Sequence, residues 1–463
     1  MANTTETLAD QGLPDGDVPP LPADELAMCL VWSADEPGRT GEVAFFAPGS
    51  GKLGRSAGLF GPQRPSGWVG QSALHSNKLS REQLAIRRDG RRWRLRNTGR
   101  TALLVNGVEQ SEAGVGEGDL VQLGNVAVLL VVRRPREFQI HPPVAEDFGF
   151  GQPDGDGIIG ESPAAWQLRG RVRFVAGAEE HTLVLGPSGS GKELVSQGIH
   201  RHSARRRGPL VSRSAATIPE GLVDAEMFGN LRNYPNPGMP ERAGLVGEAH
   251  GGTLFLDEIG ELPPEHHAHL LRVLDNGEYQ RLGESRSRRS DLRFIGATNR
   301  HANELKFDFR ARMPLQLSVP GLAVRPEDVP LLARHLLRGM ARTSTDLETR
   351  FFAGGHPRLT PGLVQKLITY RYTTHMRELK HLLWECAGAS SGGWLDVCPK
   401  VLSQGAPAPV ARVDPKTLGP EAIQSALDRH GGRQEPVWKE LGLRNRHVLA
   451  RLIKKFGLST EGQ

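Results

Sequence analysis

Short apolar runs broken by polar turns fill the first third of the chain. Met28–Trp32, Val43–Phe46, Leu84–Ile86, Trp93–Leu95, Leu103–Val105, Leu120–Leu123 and Val126–Val132 read as strands. Asp89-Gly90, Asn106-Gly107 and Glu117-Gly118-Asp119 mark turns between them. That spacing predicts an all-β sandwich over 26–133. Gly49-Ser50-Gly51-Lys52 reads as a hairpin turn. From residue 158 the pattern changes. Buried strands such as Leu183-Val184-Leu185 and Phe294-Ile295-Gly296-Ala297 alternate with helical periods, which predicts an α/β domain over 158–340. Amphipathic stretches at Leu363–Ile368 and Leu379–Leu383 predict a helical lid over 341–398. The helical period returns over 418–459, as an all-α piece. Residues 1–25 carry no apolar period and read as a disordered leader. Residues 134–157 and 399–417 are rich in Pro and Gly and read as linkers.

Composition narrows this picture only a little. The 463 residues fit about three domains. The net charge of +6 is compatible with nucleic acid but arises from 58 basic against 52 acidic residues. Cys29, Cys386 and Cys398 have no metal or redox spacing and read as reduced and structural. No apolar run reaches membrane-spanning length and no signal-peptide pattern opens the chain, so a soluble, cytoplasmic protein is expected.

The densest chemistry lies at Gly186-Pro187-Ser188-Gly189-Ser190-Gly191-Lys192-Glu193, between an apolar strand and a helical period. This is the context of a phosphate-binding loop, in which backbone N–H groups and a helix N-terminus cradle an anion and Lys192 reaches the outer phosphates. Ser188, Ser190 and Glu193 complete the cradle. Downstream, Thr253–Leu256 is an apolar strand ending in Asp257-Glu258. Asp257 suits Mg²⁺ ligation, directly or through water, and Glu258 suits activation of an attacking water. A third buried strand ends at Thr298-Asn299, and Asn299 is placed to sense a γ-phosphate. The spacing of His266, His267 and His269 is supported by no acid-Cys-His constellation, and they read as a helix surface. The runs Arg205–Arg207 and Arg286–Arg289 read as solvated faces.

With Glu193 after the lysine, Glu226-Met227-Phe228-Gly229, Leu270-Leu271-Arg272-Val273-Leu274, Arg325-Pro326-Glu327-Asp328 and Met376-Arg377-Glu378-Leu379, the region 158–390 resembles the AAA+ domain of bacterial sigma-54-dependent transcription activators. The resemblance implies ATP and Mg²⁺ as ligands, a homo-oligomeric ring, Arg377 as the sensor II arginine, and arginine fingers acting in trans. The finger positions are Lys306 and Arg312, so one finger is a lysine. The family's sigma-54-contacting GAFTGA loop falls at Asn233-Tyr234-Pro235-Asn236-Pro237-Gly238, where register is kept and motif is lost. The family's asparagine that restrains the water-activating glutamate falls at Ser214, which implies a weakened or lost switch.

Two flanking resemblances complete the architecture. Leu53-Gly54-Arg55, Leu79-Ser80-Arg81, Val105-Asn106-Gly107 and Glu117–Gly124 look like a forkhead-associated (FHA) domain, a fold that binds phosphothreonine peptides. This implies Arg55, Ser80, Arg81, Thr101 and Asn106 as peptide-binding positions. Gln83 replaces the family histidine, and Thr101 stands at the usual asparagine. The C-terminal piece resembles the Fis-type helix-turn-helix that ends such activators, with Asn445–Phe456 as recognition helix. Arg444, Asn445, Arg446 and His447 would face bases, and Arg451, Lys454 and Lys455 phosphates. The resemblances thus imply an ATP-binding transcriptional regulator that binds DNA and a phosphorylated or other protein partner, with a changed or absent output to sigma-54 RNA polymerase. Two alternatives stay open: an ATP-dependent phosphoprotein scaffold or switch acting without sigma-54, and a DNA-binding repressor with a vestigial ATPase.

Overall fold

The computed structural model describes residues 24–47 and 49–403 as one compact unit. In a second unit it describes 420, 423, 424, 427, 437, 438, 446–456 and 458. The expected leader, apart from residues 24 and 25, and the expected linker beyond 403 lie outside the described residues.

The N-terminal part is an antiparallel β-sandwich. Its strands are β1 Glu25–Ser33, β2 Val43–Phe45, β3 Ser50–Leu53, β4 Gln63–Arg64, β5 Gly67–Trp68, β6 Leu84–Asp89, β7 Arg92–Asn97, β8 Leu103–Val105, β9 Val108–Glu109, β10 Glu112–Val115, β11 Leu120–Leu123 and β12 Ala127–Arg134. One sheet runs β2-β1-β12-β11-β8-β9 and the facing sheet β10-β7-β6-β3. The expected turn at 50–52 is instead β3, paired with β6 from Ser50↔Arg87 to Leu53↔Leu84, so it forms an edge strand of the second sheet.

β1 and β12 are buried on both faces. Met28, Leu30, Leu129 and Val131 point into the sandwich. Ala27, Cys29, Val31, Val128, Leu130 and Val132 point the other way, into a core shared with C-terminal helices. Each fully buried Val or Leu is worth about 1.5–3 kcal/mol, so this outer face is a major packing surface. It explains why both strands are apolar without alternation.

The central α/β part carries a parallel sheet in the order β14-β15-β18-β13-β19. These strands are β13 Thr182–Leu185, β14 Leu210–Ser214, β15 Thr253–Asp257, β18 Arg293–Thr298 and β19 Leu315–Ser318. A short hairpin, β16 Glu278–Tyr279 with β17 Arg288–Arg289, projects between β15 and β18 in sequence. The helices are α1 Pro163–Gly177, α2 Lys192–His202, α3 Val223–Phe228, α4 Gly244–Glu248, α5 Pro264–Asn276 and α6 Phe307–Ala311. Ser162 caps α1 by accepting from Ala165 N, with Pro163 at the first helical position.

The lid comprises α7 Val329–Ala341, α8 Thr345–Phe351, a hairpin of β20 Phe352–Ala353 with β21 His356–Pro357, α9 Pro361–Thr369, α10 His375–Ala389 and α11 Pro399–Ser403. Two expected boundaries move. Leu331, Leu332, Leu337 and Met340 of α7 share the lid core with Leu363, Leu367, Leu379 and Leu383, so α7 packs as a lid element. Residues 399–403, read as linker, form a helix anchored by buried Val401 next to buried Cys398.

The expected linker at 134–157 is a packed strap. Phe138 and Ile140 are buried with Trp166, and Phe148 stacks on Trp166 at 5.6 Å. The sandwich and lid also meet through polar contacts. Trp32 Nε1 donates to Leu359 O at 2.8 Å, Gln365 Nε2 to Gln122 Oε1 at 2.7 Å, and Arg134 Nη2 to Glu327 Oε1 at 2.9 Å. The arginine runs are partly tied down: Arg205 pairs with Asp291 and Glu179, and Arg288 with Glu284.

In the second unit, α12 Arg446–Phe456 sets Leu449 and Leu452 into a small core with Ile423, Leu427 and Val437. Arg451 and Lys454 are exposed on it. Arg444 and Asn445, and the side chains of Arg446, His447 and Lys455, lie outside the described residues. Among the described residues no helix is long and apolar enough to cross a membrane.

Candidate functional site

β13 lies between β18 and β19, and the chain leaves it at the carboxyl edge of the sheet, where ligands gather in open α/β folds. Gly191 takes φ 102° at the N-cap of α2, and Lys192 opens the helix. Lys192 Nζ donates to Gly186 O at 3.0 Å and Pro187 O at 3.2 Å, which folds the ammonium over the loop. Burial pulls that ammonium below its ordinary value, against the carboxylates of Asp257 and Glu258, while Arg377 pulls it further down. Ser190 Oγ is buried and has no hydrogen-bond partner among the described residues. A loop with a cation and an orphaned hydroxyl fits a polyanion. Glu193 is exposed on the first turn of α2, where it accepts from Gln197 Nε2 at 3.4 Å.

Asp257 closes β15 and accepts from Glu258 N at 2.9 Å. Glu258 holds φ 54°, a left-handed conformation that costs a non-glycine residue about 1–3 kcal/mol and tends to occur at functional sites. The Ser214 hydroxyl reaches Glu258 Oε2 at 3.3 Å from the end of β14. The shorter side chain therefore keeps a contact with the glutamate, through one donor, where the sequence implied a weakened or lost switch. Asn299 is exposed just beyond β18, whose Thr298 O accepts from Gly186 N at 3.2 Å.

The lid closes over the loop at the start of α10. Met376 N donates to Gly189 O at 3.1 Å, and Arg377 Nη1 to Ser188 Oγ at 3.4 Å. The approach is tight: a Cβ on Gly189, which has φ 72°, would lie 2.2 Å from Thr374 O. Lys306 is exposed at the N-cap of α6. Arg312, at the other end of α6, is held by Asp275 at 2.9 Å and by Asp308 O at 3.1 Å. The structure thus brings Gly186–Lys192, Asp257, Glu258 and Arg377 together, with Asn299 beside them.

The segment 230–242 is a closed turn. Asn230 bridges Arg242, Asn230 Nδ2 donates to Leu231 O and Pro240 O, and Asn233 Oδ1 accepts from Gly238 N. Leu231 N donates to Leu282 O at 3.0 Å, which pins this turn to the β16–β17 hairpin.

At the loop end of the sandwich, an open cleft of about 430 Å³ is lined by Asp35, Arg55, His75, Ser76, Asn77 and Lys78. Of the expected peptide-binding positions, only Arg55 lines it. Ser80 Oγ accepts from Arg100 N at 3.1 Å, Thr101 Oγ1 donates to Lys78 O at 2.6 Å, and Arg81 is exposed nearby in sequence. Asn106 is engaged elsewhere: its Nδ2 donates to Asp119 Oδ1 and its Oδ1 accepts from Leu120 N, both at 2.9 Å, so it braces the 105–108 turn. Sequence reasoning missed His75 and Lys78, because no strand pattern or motif marks the 75–78 loop. Gln83 is fully buried, bridging Asn97 Oδ1 and Thr101 O at 2.7 Å each and accepting from Ser80 N at 3.2 Å.

A family model described as the sigma-54 interaction domain matches residues 158–320. The chain is 33% identical over 310 residues to the transcriptional regulatory protein ZraR of Escherichia coli O157:H7, a match spanning 64% of this chain and 68% of ZraR. The chain belongs to the family of sigma-54-dependent transcriptional regulators. It is also 41% identical over 249 residues to the nitric oxide reductase transcription regulator NorR1 of Cupriavidus necator, covering 51% of this chain and 47% of that one. The solved structure of NtrX from Brucella abortus in complex with ATP is 26% identical, covers 65% of this chain and 69% of NtrX, and superposes with a TM-score of 0.47. Within this family the loop at 186–193 is that of the AAA+ domain.

Proposed function

We propose that this family member binds and hydrolyses ATP with Mg²⁺ in a site completed between subunits of a ring. The carrying observation is the convergence of Lys192, Asp257, Glu258 and the lid's Arg377 on one glycine-rich loop. ATP supplies the phosphoanhydride whose cleavage drives a change of shape. Asp257 would hold the metal, Lys192 the outer phosphates, and Glu258 would orient water. Arg377 reports lid position to the loop, and Lys306 and Arg312 would act on a neighbouring subunit's nucleotide.

The sandwich then serves as an FHA-type reader of a phosphorylated protein, supported by its strand order and by the cationic cleft at Arg55 and Lys78. The exposed Arg451 and Lys454 support DNA binding by the C-terminal unit. Contact with sigma-54 polymerase would require the stiff, proline-bearing turn at 233–238, which favours an altered or absent output there.

ATPase activity measured against protein concentration tests the engine. Specific activity should rise with concentration and disappear in Lys192→Ala and Glu258→Gln. A flat, near-zero rate would reject the ring ATPase and favour a repressor with a vestigial site. ATP-dependent open-complex formation at a sigma-54 promoter would reject action independent of sigma-54. Titration of a phosphothreonine peptide library against wild type and Arg55→Ala tests the reader; equal binding by both would reject it.

A further inference from the structure

α3 and α5 contribute to one core and meet through Asp224 with His266 and Phe228 with His269. Asp224 stands in the first turn of α3. His266 and His269, three residues apart, share a face of α5. Asp224 Oδ1 accepts from His266 Nδ1 at 2.9 Å and from His269 Nδ1 at 3.3 Å. The three ligand-capable atoms all lie within 4.8 Å of one another. His267 belongs elsewhere: it is buried and stacks on Phe309, with ring centroids 4.8 Å apart.

The surroundings suit a cation better than a simple hydrogen-bonded trio requires. Both imidazoles aim the same ring atom at a single carboxylate oxygen. His266 is 13% exposed, and the His269 ring is set edge-on to Phe228 at 5.7 Å, so both are oriented by packing. A cleft of about 280 Å³ opens onto Asp224 and His269, giving an entry path and room for a water ligand. The arginines lining that cleft are paired, Arg272 with Glu278 and Arg281 with Glu241. A tetrahedral zinc site, with bonds of about 2.0–2.1 Å, spaces its ligand atoms roughly 3.3 Å apart. The observed oxygen-to-nitrogen separations are close to that.

We propose that Asp224, His266 and His269 form a divalent transition-metal site that staples α3 to α5. Two imidazoles and one carboxylate with an open fourth position select Zn²⁺, Co²⁺ or Ni²⁺ over Mg²⁺ or Ca²⁺, which prefer all-oxygen shells. α3 runs straight into the 230–242 turn, and α5 leads into the β16–β17 hairpin that the turn is pinned to. An ion here therefore fixes the platform that carries both loops.

The test uses tag-free, chelator-treated full-length protein without nucleotide, so that it is independent of ATPase activity. Co²⁺ is titrated while its visible d–d bands are followed, and Zn²⁺ binding is measured by calorimetry. One equivalent should bind wild type. Loss of even an outer-shell partner typically weakens a metal site by about 10–100-fold, so His269→Ala and Asp224→Asn should each weaken binding by at least about 10-fold. His269 is exposed, so its variant tests the site without a folding penalty. Zn²⁺ should also slow amide exchange over 223–228 in wild type and not in His269→Ala. Absence of one-equivalent binding, or undiminished binding by His269→Ala, would overturn the site.

Discussion

Arg134→Ala removes a guanidinium that is buried between the sandwich and the lid. The Arg134 side chain is 1% exposed and its partner Glu327 is 12% exposed, with Nη2 and Oε1 2.9 Å apart. Arg134 Nη1 also donates to Gln63 Oε1 at 3.1 Å. Taking away one member of such a pair leaves a buried carboxylate uncompensated, at a cost of about 3–5 kcal/mol. With about 2.1 cal/mol/K of unfolding entropy per residue over the roughly 380 residues of this unit, that amounts to a Tm decrease of about 4–6 °C. The deficit should depend on pH. Burial pushes the Glu327 carboxyl above its ordinary range even with Arg134 pulling it down, so losing Arg134 raises it further. A carboxyl raised in the folded state favours folding while it is protonated, and that favour is lost as pH rises through the folded value. The variant should therefore lie close to wild type at low pH and reach its full deficit at about pH 8. Scanning calorimetry at about pH 5 and pH 8 reads this, and Glu327→Gln on the Arg134→Ala background should restore most of the loss. A Tm change below about 1 °C, or an equal change at both pH values, would refute the reasoning.

Three other perturbations probe the remaining joints. Gly189→Ala places a Cβ 2.2 Å from Thr374 O at φ 72°; the lid must retreat, and affinity for a fluorescent ATP analogue should fall by at least about 10-fold, about 1.4 kcal/mol, so unchanged affinity would mean that the lid contact plays no part in binding. Ser214→Ala frees Glu258 from a hydrogen bond worth about 0.5–1.5 kcal/mol and should raise basal ATP turnover by about 2–10-fold. Slower or unchanged turnover would show that the serine does not restrain the glutamate. Gln83→Ala removes the acceptor of the Ser80 and Thr101 backbone N–H groups inside the sandwich, costing about 1–3 kcal/mol by urea denaturation; a neutral result would mean that water replaces the amide.

The nucleotide loop was legible because its chemistry is local. Gly186 to Lys192 lie in one turn, Asp257 and Glu258 end one strand, and the backbone spacing dictates where they point. Three features were illegible because each depends on chain segments that sequence does not pair. The metal-competent trio needs Asp224, about forty residues before His266, and the helix period alone could not supply it. Arg134 and Glu327 meet across nearly two hundred residues, so a basic run at a domain end looked like a linker. The strap at 138–148 reads as polar and proline-rich, yet Phe138 and Ile140 are buried with Trp166 and half-buried Phe148 stacks on it. The two-sided burial of β1 and β12 did leave a trace, since unbroken apolar runs of that length rarely fit a half-exposed sheet. That trace required asking what covers the second face.

The covering also bears on how a signal would travel. The cleft at Arg55 and the lid-docking face are different surfaces of the sandwich, and the segment 35–39 touches both. Asp35 lines the cleft, and Glu36 accepts from His75 N at 2.8 Å on the cleft side. At the next residue, Pro37 O accepts from Arg334 Nη1 of α7 at 3.4 Å. The lid in turn rests on the phosphate loop through Met376 and Arg377. Peptide and nucleotide would therefore sit at opposite ends of one contiguous set of contacts and need not compete for space. Adjacency supplies a route but no energy; a ligand shifts the lid only if it binds two lid positions unequally. Linkage then imposes a strict demand: the factor by which ATP changes phosphopeptide affinity must equal the factor by which phosphopeptide changes ATP affinity. A sandwich that merely buttresses the lid gives a factor of one in both directions, and a sandwich that regulates it cannot give one in either.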